Sequence, residues 1–83
     1  MTRKRKLLEK VLSGSKNIKF NEMLSLVEAF GFRLVRVNGS YHIFEHPNVP
    51  ELVNLQNYKG NAKPYQVRQF LSIVEQYNLP FNE

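Results

Sequence analysis

The chain alternates between two kinds of hydrophobic spacing, and each change of spacing marks an element. In "TRKRKLLEKVL", Leu7, Leu8, Val11 and Leu12 recur at helical intervals and predict a short amphipathic helix that "SGSKN" ends. "FNEMLSLVEAFGF" carries Met23, Leu24, Leu26, Val27 and Phe30 on one stripe, with Asn21 as the expected N-cap and Gly31 as the expected C-cap. From Phe32 the pattern becomes that of strands. "FRLVRV" and "SYHIFEH" flank Asn38-Gly39, a dipeptide suited to the positive φ angles of a tight hairpin turn. Pro47 and Pro50 close the second strand, and "ELVNLQ" predicts a third. "NYKGNAK" then reads as a polar, flexible loop. The final helix, "PYQVRQFLSIVEQYNL", has Pro64 in its first turn and a stripe of Val67, Phe70, Leu71, Val74 and Tyr77.

The expected order is therefore helix, helix, three strands, helix. Strands joined this closely form an antiparallel meander, and the flanking helices bury their stripes on one of its faces. The expected fold is an α+β two-layer sandwich, a three-stranded antiparallel sheet with helices on one face, plus an extra N-terminal helix. The second sheet face is left to solvent or a partner. A chain of 83 residues holds one core, so 1–83 is expected to be a single domain, with 1–19 a helical extension and 20–79 the core. No apolar run approaches the roughly 18 residues of a membrane span and the N-terminus is too polar for a secretory signal, which predicts a cytoplasmic protein with no membrane role.

Charge and composition narrow the chemistry. The net charge of +5 favours polyanionic partners, because lysine and arginine release counterions when they neutralise phosphates. Four of the twelve basic residues are Arg3, Lys4, Arg5 and Lys6, which read equally well as a solvated helix start. The absence of cysteine excludes disulfides and thiolate chemistry, and leaves His42 and His46 as the imidazoles available for acid–base work or metal binding. A zinc site needs ligands converging from separate elements. His42, Glu45 and His46 instead fall on mixed faces of one strand, so no metal site is expected. The sequence has no phosphate-binding loop, dinucleotide fingerprint, serine elbow or carboxylate pair, and no small-molecule cofactor is expected.

Strand alternation puts Tyr41, Ile43 and Glu45 on one face and Ser40, His42, Phe44 and His46 on the other. Ile43 and Phe44 compete for the core, so alternation leaves the orientation open. With Phe44 inward, His42 reads as a partly buried histidine bonded to a backbone carbonyl. His46 before Pro47 reads as a strand-end residue with a turn role. Lys59, Lys63 and Arg68 flank or open the last helix, where phosphate contacts and simple solubilisation are equally good readings. Arg33 is expected in solvent. Tyr58 and Tyr65 offer rings for stacking on unpaired bases, although Tyr65 fits helix-start packing better.

The segment "MLSLVEAFGFRLVRVNGSYHIFEHP", followed by "NLQNYKGNAKPYQVRQFLSIVEQYNL", resembles the HicA toxin family, small ribonucleases of bacterial toxin–antitoxin systems. The resemblance covers about Phe20 to Leu79. It implies a fold like that of double-stranded RNA-binding domains, messenger RNA as substrate, cleavage without a metal, and a HicB-type antitoxin as partner. It also implies a catalytic histidine directly after the small residue of the glycine–serine motif. In this chain Tyr41 occupies that position and His42 is displaced by one, which in a strand means the opposite face. The resemblance thus implies Tyr41 and His42 as catalytic candidates, with Ser40, Lys59, Lys63 and Arg68 as RNA-binding candidates. Cutting RNA through its own 2′-hydroxyl needs a base, an acid for the leaving 5′-oxygen, and cations or amides for the phosphorane charge. Tyrosine donates a proton more readily than it accepts one: to act as a base near neutrality it needs about 4 kcal/mol of phenolate stabilisation.

Overall fold

The computed structural model describes residues 3–82. In chain order they form helices α1 (Arg3–Leu12) and α2 (Phe20–Ala29), strands β1 (Arg33–Asn38), β2 (Tyr41–His46), β3 (Val49–Tyr58) and β4 (Asn61–Ala62), and helix α3 (Pro64–Gln76). The strands make one antiparallel sheet in the order β1-β2-β3-β4. An α+β arrangement is thus present, with four strands where three were expected. No helix among the described residues is long and apolar enough to cross a membrane.

The fourth strand grows out of the segment expected to be a flexible loop. Lys59 and Gly60 both adopt positive φ, 53° and 86°, and so form a two-residue turn of the kind that suits a tight hairpin. The Asn57 side chain steadies it, its Oδ1 accepting from the Gly60 N–H at 2.9 Å. Asn57 then pairs with Ala62 and Tyr58 with Asn61. Lysine is a rare occupant of that conformation, which is why composition suggested a loop.

The short β4 also decides where α2 begins. The Ala62 N–H donates to the Ile18 carbonyl at 2.9 Å, the Phe20 N–H donates to the Gly60 carbonyl at 2.9 Å, and Lys19 bridges to Asn61. Lys19 is thereby held extended and becomes the cap, with Phe20 the first helical residue. The expected cap, Asn21, lies one residue inside the helix. The Lys19 N–H is satisfied by Glu22 Oε1 at 3.0 Å, one arm of a capping box. At the other end Phe30 is the cap and Gly31, at φ 91°, the residue after it that turns the chain into β1. A Cβ on Gly31 would come within 3.0 Å of His46 Nε2. Glycine is required there for conformation and for space.

Helices α2 and α3 seat against β3 and β4. The core they close contains Met23, Leu26, Val27, Phe44, Leu55 and Phe70, each at most 1% exposed. Phe70 is the junction of the aromatic cluster, edge-on to Phe30 at 5.6 Å and to Phe32 at 5.4 Å. Helix α1 adds Leu7, Leu8 and Val11 to this core. Leu12, expected on the same stripe, is 63% exposed because α1 ends there and the chain turns away at Ser13 and Gly14. In the α3 stripe Val67 and Phe70 are buried, while Leu71, Val74 and Tyr77 are partly covered. The Tyr77 hydroxyl donates to Glu51 Oε1 at the far end of that helix.

The first strand departs most from expectation. Every residue of β1 is exposed, including Leu34, Val35 and Val37 at 44–52%. This strand is the sheet edge, beyond the helix layer, and a bulge between Leu34 and Arg36 interrupts its pairing with β2.

Candidate functional site

Phe44 faces the helices at 1% exposure, which fixes the orientation of β2. His42 and His46 accordingly lie on the helix side, and Tyr41, Ile43 and Glu45 on the open side. The two central candidates therefore occupy opposite faces of one sheet. Tyr41 is 40% exposed, while His42 is partly buried with its ring edge-on to Phe20 at 4.8 Å. The expected carbonyl partner for His42 is not found: its Nδ1 is buried and makes no hydrogen bond. His46 does take a turn role. Its Nδ1 accepts from the Asn48 N–H at 3.0 Å and its ring packs on Phe32 at 5.0 Å. Pro47 and Asn48 are thus the two residues of a tight turn, and β3 starts directly after them at Val49. Pro50 is the second residue of that strand and does not precede it.

Tyr41 pairs with Asn38 on one side and with Gln56 on the other. Ser40 is drawn into the same corner, its carbonyl accepting from the Asn57 N–H at 2.9 Å and its hydroxyl from Gln56 Nε2 at 3.4 Å. Two residues along β3 from Gln56, on the same face, is Tyr58, a diagonal neighbour of Tyr41 at roughly 7–8 Å in sheet geometry. Tyr58 is 50% exposed and carries two cations, Lys59 Nζ at 5.5 Å and Lys63 Nζ at 5.2 Å from its ring centroid. At the end of the sheet where the β1–β2 and β3–β4 turns lie, the open face therefore gathers two phenols and two ammonium groups, and the Ser40 hydroxyl joins them from the turn, outside the strand alternation, through Gln56. Arg36 and Ile43 continue this face, and Arg33 lies in solvent as expected, its side chain 80% exposed while it pairs with Glu45 at 2.8 Å.

The remaining candidates fall outside this corner. Arg68 is exposed on α3 and borders a small cleft with Lys16, near the end of α1. Tyr65, at 48% exposure, accepts from Gln66 Nε2 at 3.4 Å and does not pack at the helix start.

Gln56 is the site residue that sequence reasoning missed. Extending a strict register from the His46–Val49 pair places Asn54 opposite Tyr41, but an irregularity between Phe44 and His46 shifts the partner to Gln56. Nothing in the residue types announces that shift. Gln66 was missed for a related reason: it is 5% exposed, and its Oε1 accepts from the Gln56 N–H at 2.8 Å. It thereby anchors α3 to the strand that carries the site.

The arrangement can hold a polyanion against Lys59 and Lys63, stack a planar base on Tyr58, and offer the Tyr41 hydroxyl as a proton donor. The sequence matches a family model described as HicA toxin of bacterial toxin-antitoxin over residues 20–76. No curated protein and no solved structure matches.

Proposed function

The chain belongs to the HicA toxin family, whose members in general pair with HicB antitoxins, and on that premise we propose that it is a cytoplasmic toxin that cuts messenger RNA and so inhibits translation. The observation that carries this reading is the open-face corner: Ser40, Tyr41 and Tyr58 beside Lys59 and Lys63. The succession α2–β1–β2–β3–α3 is compatible with a fold like that of double-stranded RNA-binding domains, with β4 and α1 as additions. Residues 1–83 act as one domain in this reading, 1–19 being an extension of the 20–79 core.

In the proposed reaction the 2′-hydroxyl attacks the adjacent phosphorus, the bond to the 5′-oxygen breaks, and the products end in a 2′,3′-cyclic phosphate and a 5′-hydroxyl. Lys59 and Lys63 offset the charge that grows on the phosphorane oxygens. Tyr41 donates a proton to the leaving oxygen, and Tyr58 holds a base by stacking. Ser40 contributes a hydroxyl to the backbone, and Arg68 contacts phosphate farther along the strand. The 2′-hydroxyl proton passes to solvent water, since no imidazole faces it on the open side: His42 points to the helices. The turnover expected is slow, and no metal enters the step.

His42's placement favours a second reading, a domain of the same family that binds RNA or its antitoxin without efficient turnover. In both readings the HicB-type partner covers the open face, where Tyr41 is an aromatic anchor with a polar tip. The test is incubation of a long single-stranded RNA with purified protein in excess chelator, with products analysed for cyclic phosphate ends. Fragments with such ends support the nuclease. Salt-sensitive binding without fragments supports the binding domain, and no RNA affinity at low salt excludes the nuclease and leaves a domain that binds only its antitoxin.

A further inference from the structure

Helix α1 lies outside the residues matched by the family, yet it lines an open groove of about 680 Å³ between α1 and α2. The α1 wall contributes Arg3, Lys4, Lys6 and Lys10, and the α2 wall contributes Asn21 and Ser25. Glu22 is the one acid in the lining, and its charge is already engaged by the Lys19 N–H at 3.0 Å and by Lys10 Nζ at 3.5 Å. The groove therefore keeps a strong positive excess.

Local helix stability does not account for that excess. The first turn of α1 has no acidic residue, and cations there oppose the helix dipole. A membrane surface is a poor match, because α1 spends Leu7, Leu8 and Val11 on the core and leaves Leu12 alone exposed at its end, which makes no apolar face to insert. A line of phosphates fits better. Arg3, Lys6 and Lys10 follow one face of α1 over about 10 Å, a span that can meet a short run of backbone phosphates, with Asn21, Ser25 and the already paired Glu22 across the groove. Beyond the end of α1 the cations continue: Lys16 and Arg68 border the small cleft between α1 and α3, and Lys63 caps α3.

We propose that the α1–α2 groove is a second RNA-backbone site, through which the N-terminal extension lengthens the footprint of the strand held at the open face. It takes phosphates without reading bases, since its lining offers cations and small polar groups and no exposed aromatic ring. The proposal rests on the RNA reading given above.

The test is fluorescence anisotropy with a labelled single-stranded RNA of about 20 nucleotides carrying 2′-O-methyl groups, titrated at several salt concentrations. The chain is compared with the variant Arg3→Gln/Lys4→Gln/Lys6→Gln, which leaves the Lys10–Glu22 pair intact. The expected result is about a tenfold weaker affinity at low salt and a salt slope smaller by about 2, the share of three single-strand phosphate contacts. Equal affinity and equal slope in both proteins overturn the proposal while leaving the RNA reading standing. Absence of binding by the unmodified chain overturns both. Loss of binding to phosphatidylserine vesicles in the variant, with RNA affinity unchanged, also overturns it, in favour of a membrane.

Discussion

Tyr41 and His42 are adjacent in the chain and separated by the thickness of a sheet, so one substitution at each interrogates a different side of the molecule. His42 has a buried Nδ1 without a partner, and an unpaired buried polar atom costs stability. Replacing it with leucine is expected to be neutral or to stabilise by up to about 1 kcal/mol in urea unfolding. A loss larger than that would mean the imidazole makes a contact that holds the fold. Glu22 gives the opposite kind of residue. The Lys19 backbone N–H holds its carboxyl below the ordinary value of 4.5; burial opposes this, and the nearby Lys10 ammonium helps to lower it. A carboxyl lowered on folding adds stability above its unfolded value, and that stability is lost as pH falls through the lowered one. Glu22→Ala is therefore expected to destabilise by about 0.5–1 kcal/mol at pH 7, a modest figure because the pair is solvent-exposed. The gap between the two proteins should narrow as the pH falls below the ordinary carboxyl value of 4.5 and through the lowered one. A gap that stays constant with pH would assign the effect to helix propensity alone.

At the scale of elements, the junctions are more constrained than the strands they join. Gly31 links α2 to β1 at φ 91°, with His46 Nε2 where a Cβ would press. Gly31→Ala is expected to cost about 1–3 kcal/mol, read from the shift in urea midpoint. A cost below about 0.5 kcal/mol would show that the junction relaxes freely. Edge strand β1 should behave in the contrary way. Val37 is 52% exposed although its cross-strand partner His42 is on the helix side. Val37→Lys is expected to change stability by less than about 0.5 kcal/mol, whereas Phe44→Ala, two residues along the covered strand, should cost about 3–5 kcal/mol. Equal costs would place β1 inside the core.

For the whole molecule, hydrophobic periodicity located the three helices and the first three strands, because each has a stripe or an apolar run set by its own backbone period. What periodicity lacked was long-range pairing. The fourth strand depends on Lys59 adopting a conformation its residue type disfavours, and the start of α2 depends on Ile18 and Lys19 pairing with that strand. Neither is a local property. The same holds for the candidate site: Tyr41, Lys59 and Lys63 were visible as residue types, but Gln56 reaches Ser40 only through an irregular register. The facing of Tyr41 and His42 became readable once Phe44 was seen to occupy the core. Helix α1 is bound to the rest by Leu7, Leu8 and Val11, so Leu8→Ala is expected to cost about 2–3 kcal/mol in global unfolding. A negligible cost would mean that α1 is docked only loosely.

Position 41, on the open face beside Lys59 and Lys63, is the proposed place of the RNA chemistry. The most direct test is the single-turnover cleavage rate of a long single-stranded RNA at pH 7 in excess chelator, for the chain as it stands, Tyr41→His and His42→Ala. An imidazole at position 41 restores an acid–base group effective near neutrality, and the expected gain is about 10²- to 10⁴-fold, with His42→Ala changing the rate little. No gain from Tyr41→His, together with loss of cleavage in His42→Ala, would contradict this and move the reacting centre to the helix side of the sheet.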